Sequence, residues 1–124
     1  MEIILSNASD RPIYEQITSQ IKEMIMKGTL KPGEPMPSMQ KLAKDLHVSV
    51  ITTQRAYDDL SRDGFIVTVP AKGTFVSTQN QDFIKEENLR RIEKLLSDAA
   101  ALGRENGLTL DELKATLEVV YEDE

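Results

Sequence analysis

The chain has 124 residues, 40% of them hydrophobic, no cysteine and a formal net charge of −6. That length suits one domain, or one small domain with an appendage, and the missing cysteines exclude disulfides and thiolate metal sites. No apolar run approaches the ~18 residues of a membrane helix, and Met1-Glu2-Ile3-Ile4-Leu5 lacks the basic start of a signal peptide, so the expectation is a soluble, cytoplasmic protein with no cofactor or metal and no membrane partner.

The acid is unevenly placed. Residues 1–78 carry nine Lys and Arg against nine Asp and Glu, whereas residues 79–124 carry six against twelve. The excess negative charge therefore lies in the C-terminal third, and the first part is free to present a basic face to a polyanion if its charges segregate.

Residues 1–11 read as an extended lead-in, with Ile3 and Leu5 placed to pair as a short strand or to pack as an arm. A first helix is predicted from about Pro12, which suits a first helical turn, with Asp10 as its cap. Ile13, Ile17, Ile21, Met24 and Ile25 form its apolar stripe, and Gly28 supplies a left-handed stop. The segment Lys31-Pro32-Gly33-Glu34-Pro35-Met36-Pro37 is too rich in proline to be helical and must form an extended, turning connection.

Ser38 is placed to cap a second helix that buries Met39, Leu42, Ala43 and Leu46. His47 and Val48 make a tight turn. Ser49 then caps a third helix that runs to about Asp63, stops at Gly64 and turns Ala56, Tyr57 and Leu60 inward. Phe65 to Val69 reads as a strand, Pro70 to Gly73 as a turn and Thr74 to Ser77 as the returning strand. Two short helices across a tight turn, followed by a hairpin, is the order of a winged helix-turn-helix, which sets one helix into the DNA major groove.

The polar stretch Gln79-Asn80-Gln81-Asp82 is the predicted boundary. Beyond it Leu89, Ile92, Leu96, Ala99 and Leu102 recur at helical spacing. A further helix starts at Thr109, where Glu112 completes a capping box, and carries Leu110, Leu113, Leu117, Val120 and Tyr121 on one stripe. The fold class is α+β: an N-terminal winged helix-turn-helix domain at 1–78, then a short two-helix dimerisation region at 79–124.

Candidate DNA contacts follow from position. Ser49 and Thr52, in the first turn of the third helix, can donate to phosphates, where the helix N-terminus also favours an anion. Val50 and Ile51 offer only apolar contact, for example to thymine methyls; Gln54 suits an adenine and Arg55 a phosphate. Periodicity alone also allows a plain amphipathic core helix, but two β-branched aliphatics on an outward first turn favour a surface that meets something. Ser38, Gln40 and Lys41 open the second helix, where a lysine opposes the helix dipole unless an anion lies nearby. Taken alone, Lys41 also reads as an ordinary solvated lysine. Lys72 and Gly73 at the hairpin tip can follow the backbone or the minor groove, and the glycine equally serves the turn.

Catalysis has little support. His47 is the only histidine, Asp58 and Asp59 point about 100° apart on a helix and do not converge, and there is no phosphate loop or nucleophile motif. No enzyme is expected.

At these residues the chain resembles the GntR family of bacterial transcription regulators. Pro12-Ile13-Tyr14-Glu15-Gln16-Ile17 is similar to the opening of that family's first helix, and Gly28-Thr29-Leu30-Lys31-Pro32-Gly33 to its connector. Met36-Pro37-Ser38, Leu42-Ala43, Thr52, Arg55-Ala56-Tyr57, Leu60, Gly64 and Lys72-Gly73-Thr74-Phe75-Val76 are similar to its helix-turn-helix and wing. The 46 residues of the tail leave room for two helices only, as in the YtrA-like subfamily, whose short tail serves dimerisation.

The resemblance implies a homodimeric repressor that binds a near-palindromic double-stranded operator and often controls a transporter operon. Any effector would be small, or would bind at the dimer interface or between the domains. The departures are specific. The family commonly has arginine at Gln40, glutamate at Lys41, glycine at His47, arginine or asparagine near Val50 or Ile51, and glycine at Ala71. They imply an unusual operator or weaker contacts. The alternative they leave open is a winged-helix interaction module that has lost specific DNA binding and docks a partner through its acidic, leucine-striped tail.

Overall fold

In the computed structural model, which describes residues 1–79 and 81–123, the isoleucines spaced three and four apart build α1 (Ile13–Lys27). Ile17, Ile21 and Ile25 are buried, Ile13 and Met24 pack at the edge of the same cluster, and Gly28 ends the helix at φ 82°. The cap expected from Asp10 is not made. Pro12 itself takes the N-cap position, with no side-chain cap, so Asp10 stands two residues outside the helix; the Pro12 carbonyl receives the amides of Glu15 and Gln16.

The lead-in packs as an arm rather than a strand. The Gln20 side-chain amide pairs with both backbone groups of Ile4, at 2.9 and 2.8 Å. Gln16, one turn earlier, does the same for Ser6 at 2.9 and 3.0 Å. Two glutamines thus supply the donor and acceptor pattern of a neighbouring strand, while Ile3 and Leu5 pack against the core.

α2 (Met39–Leu46) starts at Ser38, whose Oγ accepts the Lys41 amide at 3.1 Å. It ends at His47 in the left-handed conformation, φ 57° and ψ 43°. α3 (Val50–Arg62) is the spine of the unit, packing on α1, on α2 and on the first strand. Ala56, Tyr57 and Leu60 face the core as expected. Thr53, polar by type, is fully buried; its hydroxyl lies 3.0 Å from the carbonyls of both Met39 and Val50, which satisfies it. The Tyr57 hydroxyl donates to the Pro37 carbonyl at 2.7 Å, and burial pushes its phenol up to about 12.

β1 (Ile66–Val69) and β2 (Gly73–Val76) pair antiparallel, with Ile66 opposite Val76 and Val69 opposite Gly73. β1 starts one residue later than predicted because the Phe65 amide is committed to the Leu60 carbonyl at the end of α3, and β2 runs from Gly73 to Val76 rather than from Thr74 to Ser77. The proline-rich connector runs alongside β2: the Gly33 amide donates to Val76, Val76 to Glu34 and Met36 to Thr74, at 2.9, 2.9 and 2.8 Å. Extended backbone enforced by proline thus becomes an added edge of the wing.

The remaining helices are α4 (Gln81–Glu105) and α5 (Leu110–Glu122). Backbone proximity divides the chain into Met1–Ile84 and Lys85–Glu124. The first turn of α4 belongs with the first unit, because the Phe83 and Phe65 rings meet nearly perpendicular with centroids 6.2 Å apart and Ile84 packs on the core. Of the polar break at 79–82, Asn80 lies outside the described residues.

Within the second unit, Thr109 caps α5 with the full reciprocal box to Glu112. At the elbow, Gly103 lies so near Leu113 that a Cβ there would meet Cδ1 at 2.8 Å. Gly103 is the one buried residue among those described in α4, and α5 has none. The two helices flank an apolar groove of about 400 Å³ whose lining includes Leu96, Ala99, Leu110, Leu113, Leu117 and Val120.

Candidate nucleic-acid interface

The first turn of α3 is set by its cap. Ser49 Oγ accepts the Thr52 amide at 3.1 Å and also lies 2.8 Å from Thr52 Oγ1. One of the two hydroxyls must donate to the other, so the pair keeps a single free O–H for an outside acceptor. Between them Val50 and Ile51 are exposed, Ile51 to 79%. Gln54 and Arg55, one turn on, are also exposed. An amphipathic helix that buried only its stripe would not need this apolar opening turn, and it lies where the free amides of the helix N-terminus attract an anion.

Ser38, Gln40 and Lys41 lie together at the start of α2, and Gln40 and Lys41 are exposed. Lys41 Nζ is engaged by Asp45 at 3.0 Å on the same exposed face, which tempers the charge it offers. Lys72 and Gly73 sit at the hairpin tip, both exposed, with Gly73 at φ 116°. Ala71 beside them is at φ 65°, and His47 between α2 and α3 is at φ 57°; these are the two positive-φ non-glycine residues among those described. Both are positions where the resemblance leads one to expect glycine, so the departures replace the residue without changing the backbone it serves.

Arg55 has a partner the sequence did not reveal. Its guanidinium carbon lies 3.8 Å from the centre of the Tyr14 ring, offered by α1. No spacing rule connects the two residues, since the contact exists only once α1 and α3 are packed. Around them runs a polar cleft of about 410 Å³, whose lining includes Arg11, Lys22, Asp59 and Arg62. Further along, Lys22 Nζ reaches Asp63 Oδ2 at 3.0 Å, and that hydrogen bond is the main reason the Asp63 carboxyl is held below the usual carboxylate range.

The residues expected to serve dimerisation all lie in the second unit: Leu89, Ile92, Leu96, Ala99, Leu110, Leu117, Val120 and Tyr121 are exposed and Leu113 is half-buried at the elbow. Among the described residues no group of three His, Cys, Asp or Glu comes together as a metal site, and no helix is long and apolar enough to cross a membrane.

Residues 13–76 match the family model described as bacterial regulatory proteins, gntR family. The chain is 32% identical over 115 residues to the HTH-type transcriptional repressor YtrA of Bacillus subtilis, covering 93% of this chain and 88% of YtrA. Among solved structures, a transcriptional regulator from Oenococcus oeni is similar with a TM-score of 0.71 at 25% identity, covering 94% of this chain and 97% of that one. AraR(DBD) in complex with operator ORX1 is similar over 62% of this chain and 96% of its own, with a TM-score of 0.55 at 28% identity. These relatives are regulators of transcription, not enzymes.

Proposed function

The chain belongs to the gntR family of bacterial regulatory proteins and is a DNA-binding transcription regulator, and from that premise we propose that it is a homodimeric repressor of a near-palindromic operator. Two copies join through the apolar faces of α4 and α5 and set their α3 helices into successive major grooves, about 34 Å apart. The observation that carries this reading is the exposed first turn of α3, where Val50 and Ile51 face outward beside the Ser49 and Thr52 hydroxyls. Val50, Ile51 and Gln54 read bases. Ser38, Gln40, Lys41, Ser49, Thr52, Arg55, Lys72 and Gly73 contact the backbone or line the groove.

The tail supports the pairing. Large apolar side chains along both helices are exposed, and an apolar patch of that extent on a regulator marks an association surface. The similarity to YtrA spans this tail as well as the first unit. The resemblance to the YtrA-like subfamily extends this proposal to regulated genes in a transporter operon. A small effector, where one acts, changes the spacing of the two α3 helices from the dimer interface.

The test is a comparison of base preferences. Gln54→Ala and Val50→Ala should change which bases are preferred at fixed operator positions while leaving affinity for mixed-sequence DNA nearly unchanged. A uniform loss across all sequences would contradict the base-reading role. The solution mass of the chain with and without residues 79–124 tests the dimer: a monomeric full-length chain would sink it.

A further inference from the structure

We propose that Tyr14 is a positioning residue for DNA-backbone binding: its ring, presented by α1, holds the Arg55 guanidinium in place for a phosphate. The proposal rests on the reading of Arg55 as a phosphate contact. A guanidinium carbon 3.8 Å from a ring centre lies over the ring face, where the negative side of the aromatic quadrupole attracts the cation. A face contact of this kind leaves the N–H donors at the edge of the guanidinium free, and those are the groups that grip a phosphate.

The surrounding charges are arranged so that Arg55 keeps its own. Asp59, one turn further along α3, is taken by Arg62 at 3.2 Å. Glu15, next to Tyr14, is paired with Arg11 at 3.7 Å and lies 3.4 Å from the Tyr14 hydroxyl. Among the described residues Arg55 forms no ion pair, so the stack on a neutral ring restrains it without neutralising it. A long, flexible side chain held this way gives up less freedom when it binds. α1 thereby acts on the interface from behind, through a residue that need not touch DNA.

The experiment measures affinity of the full chain for a mixed-sequence duplex as a function of salt, in Tyr14→Phe, Tyr14→Leu, Arg55→Ala and the Tyr14→Leu/Arg55→Ala double variant, each checked for folding by thermal melting. Tyr14→Phe should bind like the parent. Tyr14→Leu should bind about two- to fivefold more weakly per protomer, with the parent's salt slope, because Arg55 still reaches its phosphate. Arg55→Ala should lower the slope by about one counterion per protomer. Adding Tyr14→Leu to Arg55→Ala should then change nothing further.

Three results would overturn the proposal while leaving Arg55 as a phosphate contact. These are parent-like binding by Tyr14→Leu, equal weakening by Tyr14→Leu whether or not Arg55 is present, or a Tyr14→Phe variant as weak as Tyr14→Leu, which would place the hydroxyl rather than the ring at the DNA. Parent-like binding and salt slope in Arg55→Ala would instead refute the phosphate assignment, and the positioning role with it.

Discussion

Replacing Tyr57 by phenylalanine removes a single hydroxyl from the heart of the first unit. That hydroxyl donates to the Pro37 carbonyl at 2.7 Å, and the residue is 1% exposed. It ties α3 to the connector just before the Ser38 cap, so one bond links the start of the second helix to the middle of the third. Loss of the bond, with the carbonyl left short of a donor, should cost about 1–2 kcal/mol at neutral pH. For a unit of this size each kcal/mol lowers the melting temperature by roughly 4–8 °C.

The pH dependence gives a sharper signature. Burial raises the phenol from 10.0 to about 12 in the folded chain. The unfolded chain releases this proton first, so the native state of the parent loses stability as pH rises through that window, by up to about 2–3 kcal/mol. The stabilisation is fully present below pH 10, and Tyr57→Phe has no such group to titrate. The difference between parent and variant, measured by urea unfolding at a series of pH values, should therefore shrink across the window and vanish or reverse at its upper end. A difference that stays constant from neutral to strongly alkaline pH would refute the claim that this hydroxyl is held neutral by burial.

Three other outcomes follow from single positions. Ala71→Gly relieves a left-handed alanine at φ 65° and should stabilise the unit by about 0.5–1 kcal/mol, seen as a higher melting temperature; no rise would mean the wing tip is unstrained. Asp63→Asn should cost less than about 1 kcal/mol, since the Lys22–Asp63 pair is about one-third exposed on each side. Because the folded carboxyl is held low, the parent keeps this small advantage above the ordinary carboxylate range and loses it as pH falls through the folded value, while the variant stays flat over that interval. Thr109→Ala removes the hydroxyl that caps α5 and should lower stability by about 1 kcal/mol, read as reduced helicity of the tail on warming.

What the sequence made legible was local. Ser38, Ser49 and Thr109 cap their helices, and Gly28 stops the first, because each motif spans only a few residues. The stripe Ile17, Ile21, Ile25 declares a buried face by spacing alone. What stayed hidden depends on parts distant in sequence. The Gln16 and Gln20 amides that hold the arm look like ordinary surface glutamines until the chain doubles back. Thr53 looks polar and is buried, since its carbonyl partner on Met39 comes from another helix. Asp10 failed as a cap because Pro12 moved the helix start beyond its reach.

The candidate interface divides in the same way. Its positions follow from the order of helix, turn, helix and hairpin. Its internal bonds do not: the Ser49–Thr52 hydroxyl pair, the Lys41–Asp45 ion pair and the Tyr14–Arg55 stack decide which donors remain available. The two departures at His47 and Ala71 illustrate the reverse case. There the sequence alone shows a missing glycine, and the backbone shows that the left-handed turn is kept regardless.

Everything proposed for α3 requires that this chain recognise a particular DNA sequence. That recognition is tested most directly by fluorescence-anisotropy titration of the full-length protein against the DNA upstream of its own gene and against mixed-sequence duplex, at equal moderate salt. Binding to the upstream DNA should be clearly tighter, localised to an inverted repeat and reduced when one half-site is scrambled. Equal affinity for both duplexes would contradict sequence recognition.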